Sequence, residues 1–272
     1  MISFPNCKIN IGLHITGKRP DGYHDLETIF YPVAWTDILE IVKNEDQNGT
    51  TEFKSTGIRV YGPKEKNLCL KGYQLLAEKY QLPPVKMHLH KILPIGAGLG
   101  GGSSDAAYTL LNLDKLFRLN ISDAELENFA LEIGSDCPFF IRNKPMYAMG
   151  KGNVMEAISL KLKNMFIVVV KPRVHVSTAE AYSNVIPQKK NSSLKELIRL
   201  PIEDWKECIV NDFEKSIFET YPGIRNIKNK LYKFGAVYAS MSGSGSAVYG
   251  LFKEEKNLRA YFRSCTVWQG KL

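Results

Sequence analysis

The sequence predicts an α+β fold divided into two domains near residue 155. Segments with strand-like period and segments with helix-like period are mixed in both halves of the chain, which favours α+β domains. The composition turns polar around residues 150–164, just before a new apolar strand pattern. A length of 272 residues is sufficient for two domains of ordinary size. We therefore expect domains at 1–155 and 156–272, with the last strand free to pair in either of them.

The first half is predicted to begin with strands and to continue with helices. Residues 4–15 alternate between apolar and polar side chains, which predicts a strand with one buried face. A turn-rich loop at 17–22 follows this strand. Ser122 and Glu125 have the spacing of a helix-capping box. The further elements predicted here are strands within 26–42 and 85–93 and helices at 67–80, after Ser103 as far as Phe117, and at 122–132.

The second half is predicted to alternate between strands and helices up to the end of the chain. The apolar segment 165–170 predicts a buried strand, and helical patterns follow it. A second loop rich in glycine and serine, at 242–246, separates two predicted strands. The elements predicted after the helical patterns are strands at 236–241 and 247–252, a helix at 254–263 and a last short strand.

Composition and charge exclude several classes of protein. Hydrophobic residues make up 44% of the chain and charged residues 24%, as in ordinary soluble globular proteins. No apolar segment is long enough to cross a bilayer, and the first residues lack the pattern of a signal peptide. Five scattered cysteines without a C-x-x-C pair indicate reduced thiols in the cytoplasm. The net charge of +8 is spread along the chain, which favours small anionic ligands over nucleic acid.

A glycine-rich loop at residues 94–104 is the main indication of function. It contains five glycines in eleven residues and leads directly into a predicted helix. Backbone N–H groups at a helix N-terminus, together with the helix dipole, bind anions, most often the phosphates of a nucleotide. A plain flexible connection would be costly to order with so many glycines. The residues expected to contact phosphate are Pro94, Ile95, Gly96, Ala97, Gly98, Leu99, Gly100, Gly101, Gly102, Ser103 and Ser104.

Three well-known phosphate loops do not match this segment. A Walker loop needs a lysine after its last glycine, and Ser103 stands there. The G-x-G-x-x-G pattern of Gly96, Gly98 and Gly101 does not follow the first strand of the chain, as a Rossmann unit requires. The His-Arg-Asp and Asp-Phe-Gly motifs of protein kinases are absent from the sequence.

Three other segments carry candidate functional side chains. Lys8 and Asn10 lie two residues apart on the first strand and so project to one face, which is either solvated or directed at a ligand. Asp136 follows Gly-Ser and precedes Cys-Pro, so its carboxylate is held at a turn as a cap or as a catalytic group. Tyr23 and His24 follow an Asp-Gly turn and are suited to stack on and hydrogen-bond a base, or belong only to the turn.

Together these segments resemble the GHMP kinases, the family of galacto-, homoserine, mevalonate and phosphomevalonate kinases. The loop Pro-x-Gly-x-Gly-Leu-Gly-Gly-Gly-Ser-Ser is similar to the phosphate loop of this family. The Asp-Gly-Tyr-His segment is similar to a branch that acts on a cytidine-diphosphate-linked polyol. The resemblance spans the chain and is carried by residues 8–11, 19–24, 94–105, 134–140, 176–182 and 241–245.

The resemblance implies a two-domain GHMP kinase fold with the active site in the cleft between the domains. It implies that Asp136 takes the proton of the substrate hydroxyl, and that Lys8 keeps this carboxylate ionised and stabilises the transferring phosphoryl group. The loop would hold ATP, with Mg²⁺ expected beside it and Ser104 as a weak candidate ligand.

It further implies that Tyr23 and His24 bind the cytosine, that Asn10 binds the diphosphate or hydroxyl, and that Tyr182 adds an aromatic wall. Two other functions remain open. One is another small-alcohol kinase, such as a homoserine kinase, and the other is a catalytically silent nucleotide-binding regulator. A pure binder has no use for a general base, so the presence of both Lys8 and Asp136 argues against a regulator.

Overall fold

The computed structural model describes residues 1–46 and 49–272. The strands are Ile2–Ser3 (β1), Asn6–Lys18 (β2), His24–Thr36 (β3), Ile38–Lys43 (β4), Glu52–Gly57 (β5), Val85–Lys91 (β6), Met146–Met149 (β7), Val154–Ala157 (β8), Phe166–Lys171 (β9), Tyr238–Met241 (β10), Val248–Phe252 (β11) and Thr266–Lys271 (β12). The α-helices are Leu68–Tyr80 (α1), Gly101–Phe117 (α2), Asp123–Ile133 (α3), Cys137–Arg142 (α4), Thr178–Ser183 (α5), Leu194–Leu197 (α6), Trp205–Cys208 (α7), Phe213–Thr220 (α8) and Pro222–Lys233 (α9).

The residues group by their contacts into two compact units, neither of which is continuous in sequence. Unit 1 contains residues 1–7, 35–95 and 100–144, and unit 2 contains residues 8–34, 96–99 and 145–272. This grouping does not follow a single cut near residue 155. The reason is that most of β2 and β3, although early in the sequence, makes its contacts with residues after 144.

Unit 1 is a four-stranded sheet with helices packed on it. The strand order is β1-β4-β6-β5, in which only β5 and β6 are parallel. Helix α2 buries one apolar face, on which Ala106, Leu110 and Leu113 recur with the helical period and are fully buried. These side chains belong to one core with Leu39 of β4 and Leu89 of β6. The first residues of α2 are thereby fixed relative to the end of β6.

Unit 2 contains two four-stranded sheets, with strand orders β2-β3-β7-β8 and β10-β11-β9-β12. All six residues of β9 are buried, as the apolar run 165–170 predicts for a central strand. The last strand, β12, pairs with β9 in antiparallel register, with Thr266 opposite Lys171. The end of the chain therefore pairs within this sheet. Helices α8 and α9 bury apolar side chains in the same core.

The predicted helix at 254–263 is wrong. Only a 3₁₀ turn forms here, at Arg259–Tyr261. The backbone N–H of Leu258 donates to the side chain of Gln269, 3.1 Å away on β12, instead of entering a helical ladder. Leu258 and Phe262 are both buried as anchors of an irregular segment.

The capping box predicted at the start of α3 is only half formed. Ser122 accepts a hydrogen bond from the backbone N–H of Glu125, as expected of an N-cap residue. The carboxylate of Glu125, however, accepts from Lys79 at 2.6 Å and from Tyr80 at 3.0 Å. Both partners are at the end of α1, so a contact distant in sequence replaces the local one.

The first long strand differs from its prediction in the number of faces it buries. Residues 6–15 of β2 are all buried, so both faces of the strand are covered.

Within the described residues, the structure contains no helix with the length and apolar character needed to cross a membrane.

Candidate active site

The glycine-rich loop reaches α2 through three residues in the left-handed region of backbone space. Gly96, Gly98 and Gly100 have φ values of +60°, +74° and +70°. Glycine adopts this conformation readily because it has no Cβ. The N–H of Ser104 donates to the carbonyl of Gly100 at 2.9 Å and closes the first turn of α2. The preceding N–H groups have no acceptor within the helix, so the turn has the geometry of an anion site.

The second glycine-serine loop, at 242–246, packs directly on the first. The hydroxyl of Ser242 donates to the carbonyl of Gly98 at 2.8 Å. The N–H of Ala247 donates to the carbonyl of Ala97 at 3.1 Å. A Cβ added to Gly98 would lie 1.9 Å from the carbonyl oxygen of Ser242. Gly98 is therefore required both for its backbone angle and for this close approach.

Asn211 holds the second loop in place, and sequence analysis missed it. Its side-chain amide donates to the carbonyls of Met241 and Gly243, each at 2.8 Å. Its side-chain oxygen accepts from the N–H of Phe213 at 3.0 Å. An isolated asparagine between helices has no periodicity or motif that would mark this role in the sequence.

Lys8 and Asn10 project to one face of β2, as their spacing predicts. The Lys8 ammonium donates to the side-chain oxygen of Asn10 at 2.6 Å and lies 4.6 Å from the ring centre of Phe30. Asn10 in turn donates to the hydroxyl of Thr28 at 2.9 Å. The alternative of a solvated strand face is wrong, because only 4% of Lys8 and 3% of Asn10 is exposed. The backbone N–H of Lys8 donates to the carbonyl of Leu99 at 2.9 Å and ties β2 to the glycine-rich loop.

Asp136 lies at the N-cap position of α4, a short helix that the sequence did not predict. Pro138 is in the first turn of this helix, where proline is favoured. The Asp136 side chain makes no cap hydrogen bond to α4, so capping does not occupy its carboxylate. The Cys137 thiol is buried in one core with Ala106 and Leu110 of α2. The residue after Asp136 is thus packed against the predicted phosphate-binding helix.

Cys137 is a buried structural thiol. Burial raises its pKa to about 12, so the sulfur is protonated at neutral pH and is a poor nucleophile. Its role is to position the turn that carries Asp136.

A buried ion cluster lies under the first turn of α2, and sequence analysis missed it as well. The Lys91 ammonium donates to carboxylate oxygens of Asp37 and Asp105, each at 2.5 Å. All three residues are at most 4% exposed. A Cβ added to Gly101 would lie 3.1 Å from the Lys91 nitrogen, which places the ammonium directly beneath the loop.

This cluster contains two carboxylates and one ammonium, and it raises the pKa values of both Asp105 and Lys91. Burial, followed by the influence of the Asp37 charge, raises the pKa of Asp105 to about 7 despite the nearby Lys91. The two carboxylates raise the pKa of Lys91 above its usual value and outweigh the effect of its burial. Asp37 also accepts the backbone N–H groups of Ile92 and Leu93 at 2.5 and 2.8 Å. The cluster therefore fixes the end of β6 to the start of α2.

Two of the three aromatic candidates lie together. The rings of His24 and Tyr182 stack with centroids 5.1 Å apart and an interplanar angle of 27°. Tyr182 also makes an edge contact with Phe213, with the ring centroids 4.8 Å apart. This separation leaves no room for a base between His24 and Tyr182. Tyr23 is 61% exposed and has the ammonium of Lys151 4.7 Å from its ring centre.

No metal site is built from acidic side chains in the part of the chain that the structure describes. Within residues 1–46 and 49–272, no group of three or more His, Cys, Asp or Glu residues is arranged to hold an ion. The hydroxyl of Ser104 is fully buried and has no hydrogen-bond partner there. It therefore does not fit the role of an accessible metal ligand.

Comparison with known proteins gives one consistent result. The models of the GHMP kinases N terminal domain and the GHMP kinases C terminal domain match residues 67–144 and 192–265, on opposite sides of residue 155. The chain is 52% identical, over the whole length of both proteins, to a 4-diphosphocytidyl-2-C-methyl-D-erythritol kinase of Parabacteroides distasonis. It is 43% identical to the enzyme of that name from Porphyromonas gingivalis, over 99% of this chain and 98% of that one.

Solved structures agree with this assignment. A crystal structure of 4-(cytidine 5'-diphospho)-2C-methyl-D-erythritol kinase superimposes with a TM-score of 0.81 and 29% identity, over 99% of this chain and 98% of the other. The mevalonate kinase of Methanococcus jannaschii, at 18% identity and a TM-score of 0.73 over 99% of this chain and 97% of its own, shares the fold. The chain thus belongs to the GHMP kinases, and among them to the family of 4-diphosphocytidyl-2-C-methyl-D-erythritol kinases.

Proposed function

We propose that this chain is an ATP-dependent kinase that phosphorylates the 2-hydroxyl of 4-diphosphocytidyl-2-C-methyl-D-erythritol. Full-length relatives that carry this activity in their names support the proposal. The observation that carries it is the packing of Cys137 in one buried core with Ala106 and Leu110 of α2, which holds the turn that carries the Asp136 carboxylate beside the predicted phosphate-binding helix. A carboxylate near bound phosphate is what proton abstraction from an acceptor hydroxyl requires.

In this proposal two side chains perform the chemistry. Asp136 accepts the proton of the substrate 2-hydroxyl while the hydroxyl oxygen bonds to the terminal phosphorus of ATP, whose bond to the bridging oxygen breaks to release ADP. Lys8 stabilises the negative charge on the phosphoryl group during transfer. Its burial supports this role, because an ammonium in a medium of low dielectric acts more strongly on a nearby anion than one in water. Phosphoryl transfer needs little more than such positioning and charge stabilisation.

The glycine-rich loop would hold the donor. The N–H groups at the start of α2 bind the phosphate oxygens of ATP, and the left-handed glycines keep side chains away from them. Mg²⁺ is expected to accompany ATP, bound chiefly by phosphate oxygens and water, as this ion prefers. We assign it no protein ligand.

The cytidine part of the substrate would bind at the aromatic residues. His24 stacks on Tyr182 and presents its ring edge, which suits hydrogen bonding to a base. Tyr23 offers a ring face on which a pyrimidine stacks, and Tyr182 forms the aromatic wall behind His24. Asn10, held by Lys8 and Thr28, would contact the diphosphate or the acceptor hydroxyl.

Three broader statements complete the proposal. We propose that residue 155 separates the N- and C-terminal family domains. We propose a cytoplasmic enzyme, a location that suits a chain whose five cysteines are all free thiols. Its partner is a small molecule, and neither nucleic acid nor a membrane is needed.

The activity is tested by measuring ADP release in a coupled assay. The cytidine substrate is expected to give turnover, whereas homoserine and mevalonate at the same concentration should give none. Comparable turnover with homoserine would favour the alternative kinase, and ATP binding without turnover on any substrate would favour a silent regulator.

The role of Asp136 is tested by Asp136→Asn, which keeps the shape of the side chain and removes its basicity. We expect turnover to fall by roughly 10²–10⁴-fold, the usual contribution of a general base, with ATP affinity retained. Asp123→Asn, in the first turn of α3, is the matched control and should leave turnover unchanged. Turnover of Asp136→Asn within a few-fold of wild type would remove this residue from catalysis.

A further inference from the structure

Unit 2 contains a cavity of about 670 Å³ that the proposed reaction does not use. It lies between α9, the segment that follows β9 and the irregular segment before β12. Its floor is apolar, since Ile224, Ile227 and Phe262 line it and are buried. Its volume is within the range of small-molecule sites in proteins.

The charged side chains that line this cavity all have the same sign. They are Lys230 and Arg263, and among the described lining residues there is no aspartate or glutamate. The Lys230 ammonium lies 6.0 Å from the ring centre of Phe262, so charge and apolar surface are adjacent. An occupant that satisfies both features has an apolar body and an anionic group.

A buried lysine behind the cavity wall supports an anionic occupant. The ammonium of Lys171 donates to the carbonyls of Pro172 and Val174, at 2.7 and 2.8 Å, and both of these residues line the cavity. In the described chain no carboxylate lies within ion-pair distance of this nitrogen. Burial lowers the pKa of Lys171, which reflects a positive charge that lacks compensation. An anion in the cavity would offset part of that charge.

The same wall continues to the glycine-rich loop. The carbonyl of Val174 also accepts a hydrogen bond from Ser246, at 2.5 Å, in the second glycine-serine loop. The next residue, His175, lies against Gly96, so that a Cβ added to Gly96 would be 2.6 Å from the imidazole carbon Cε1. A displacement of residues 172–175 would therefore reach the loop that is proposed to bind ATP.

We propose that this cavity binds a small amphiphilic anion, with an aromatic or branched aliphatic body and one carboxylate, sulfonate or phosphate group. We propose further that its occupancy changes ATP binding through residues 172–175. The second statement rests on the proposed function, whereas the first is independent of it.

The binding site is tested with the aromatic sulfonate 8-anilinonaphthalene-1-sulfonate and the full chain, by fluorescence titration. Wild type should bind the probe saturably, and this binding should remain saturable in the presence of saturating ATP, because the two ligands occupy different sites. Reversing the lining charges with Lys230→Glu and Arg263→Glu should weaken binding at least tenfold. Reversing two exposed cations outside the cavity, Lys233→Glu and Arg259→Glu, makes the same change in net charge and should alter affinity less than twofold.

Three results would overturn the binding site. They are no saturable binding to wild type, equal weakening by both pairs of substitutions, and complete loss of probe binding at saturating ATP. None of these results depends on kinase activity, so the test of the binding site remains valid even if the proposed function is wrong.

The coupling is tested by the affinity for ATP, measured calorimetrically with and without saturating probe. The probe should change the dissociation constant of ATP at least threefold in wild type and less in His175→Ala. An unchanged constant in wild type, or an equal change in the variant, would exclude coupling through this histidine. Absence of ATP binding altogether would instead refute the proposed function.

Discussion

Gly98→Ala should be more damaging than the left-handed backbone angle alone explains. An alanine at a φ of +74° costs about 1–2 kcal/mol relative to a right-handed conformation. The new methyl group would also lie 1.9 Å from the carbonyl oxygen of Ser242. One of the two loops must then shift by about 1 Å or more, and such overpacking typically costs about 1–3 kcal/mol. The total loss of folding stability is therefore about 2–5 kcal/mol, with weakened ATP binding because the loop is displaced.

Gly235→Ala provides the matched control. Gly235 has a φ of +92°, and a Cβ there would meet no atom within 4 Å, so only the cost of the backbone angle remains. Thermal unfolding followed by circular dichroism should give a Tm lower by roughly 5–15 °C for Gly98→Ala and by roughly 2–6 °C for Gly235→Ala. Equal decreases in Tm, or unchanged ATP affinity in Gly98→Ala, would refute the idea that contact with Ser242 sets the shape of the loop.

Three further substitutions test other parts of the site. Gly100→Val should abolish ATP binding, because it places a branched side chain where phosphate binds. Calorimetry measures the affinity for ATP, and circular dichroism checks that the variant is folded. Retained affinity in a folded variant would mean that the loop is only a connector. His24→Ala should raise KM for the cytidine substrate about ten- to a hundredfold, because base contacts worth about 1–3 kcal/mol are lost. KM for ATP should stay nearly unchanged. An equal rise in both KM values would indicate misfolding of the turn. Because the pKa of Asp105 is about 7 instead of 3.8, the folded state binds more protons than the unfolded state between those pH values, so stability falls as pH rises through this window. Asp105→Asn should reduce the difference between the free energies of unfolding measured with urea at pH 5.5 and at pH 8. An equal difference in wild type and variant would contradict the raised pKa of Asp105.

Elements with a strong local pattern could be predicted from the sequence. Helix α2 is an example, because Ala106, Leu110 and Leu113 recur with the helical period and face one core. The pairing of Lys8 with Asn10 on one face of β2 follows equally from strand geometry. The loop before α2 was identifiable because dense glycine has few explanations other than close approach of a ligand or of another backbone.

Features that depend on distant contacts could not be predicted. The short helix α4 has too few residues for a period, so Asp136 was predicted at a turn without the helix that follows it. The partners of Lys91 lie 54 and 14 residues away in sequence, and nothing local to the lysine specifies them. The predicted helix at 254–263 is wrong for the same reason, because Leu258 is held by the core and by Gln269 on β12, and neither contact is visible in the local sequence.

The interleaving of the two units has a consequence for synthesis on the ribosome. All of unit 1 lies within the first 144 residues, so its contacts can form while the rest of the chain is still being made. Residues 8–34 emerge early but belong to unit 2, and β3 must wait for β7 before its edge is paired. Two long apolar strands are therefore exposed to the cell during translation, where chaperone binding or edge-to-edge aggregation competes with folding. A fragment that stops at residue 144 would retain this liability permanently, so the early half of the chain is poorly suited to isolation.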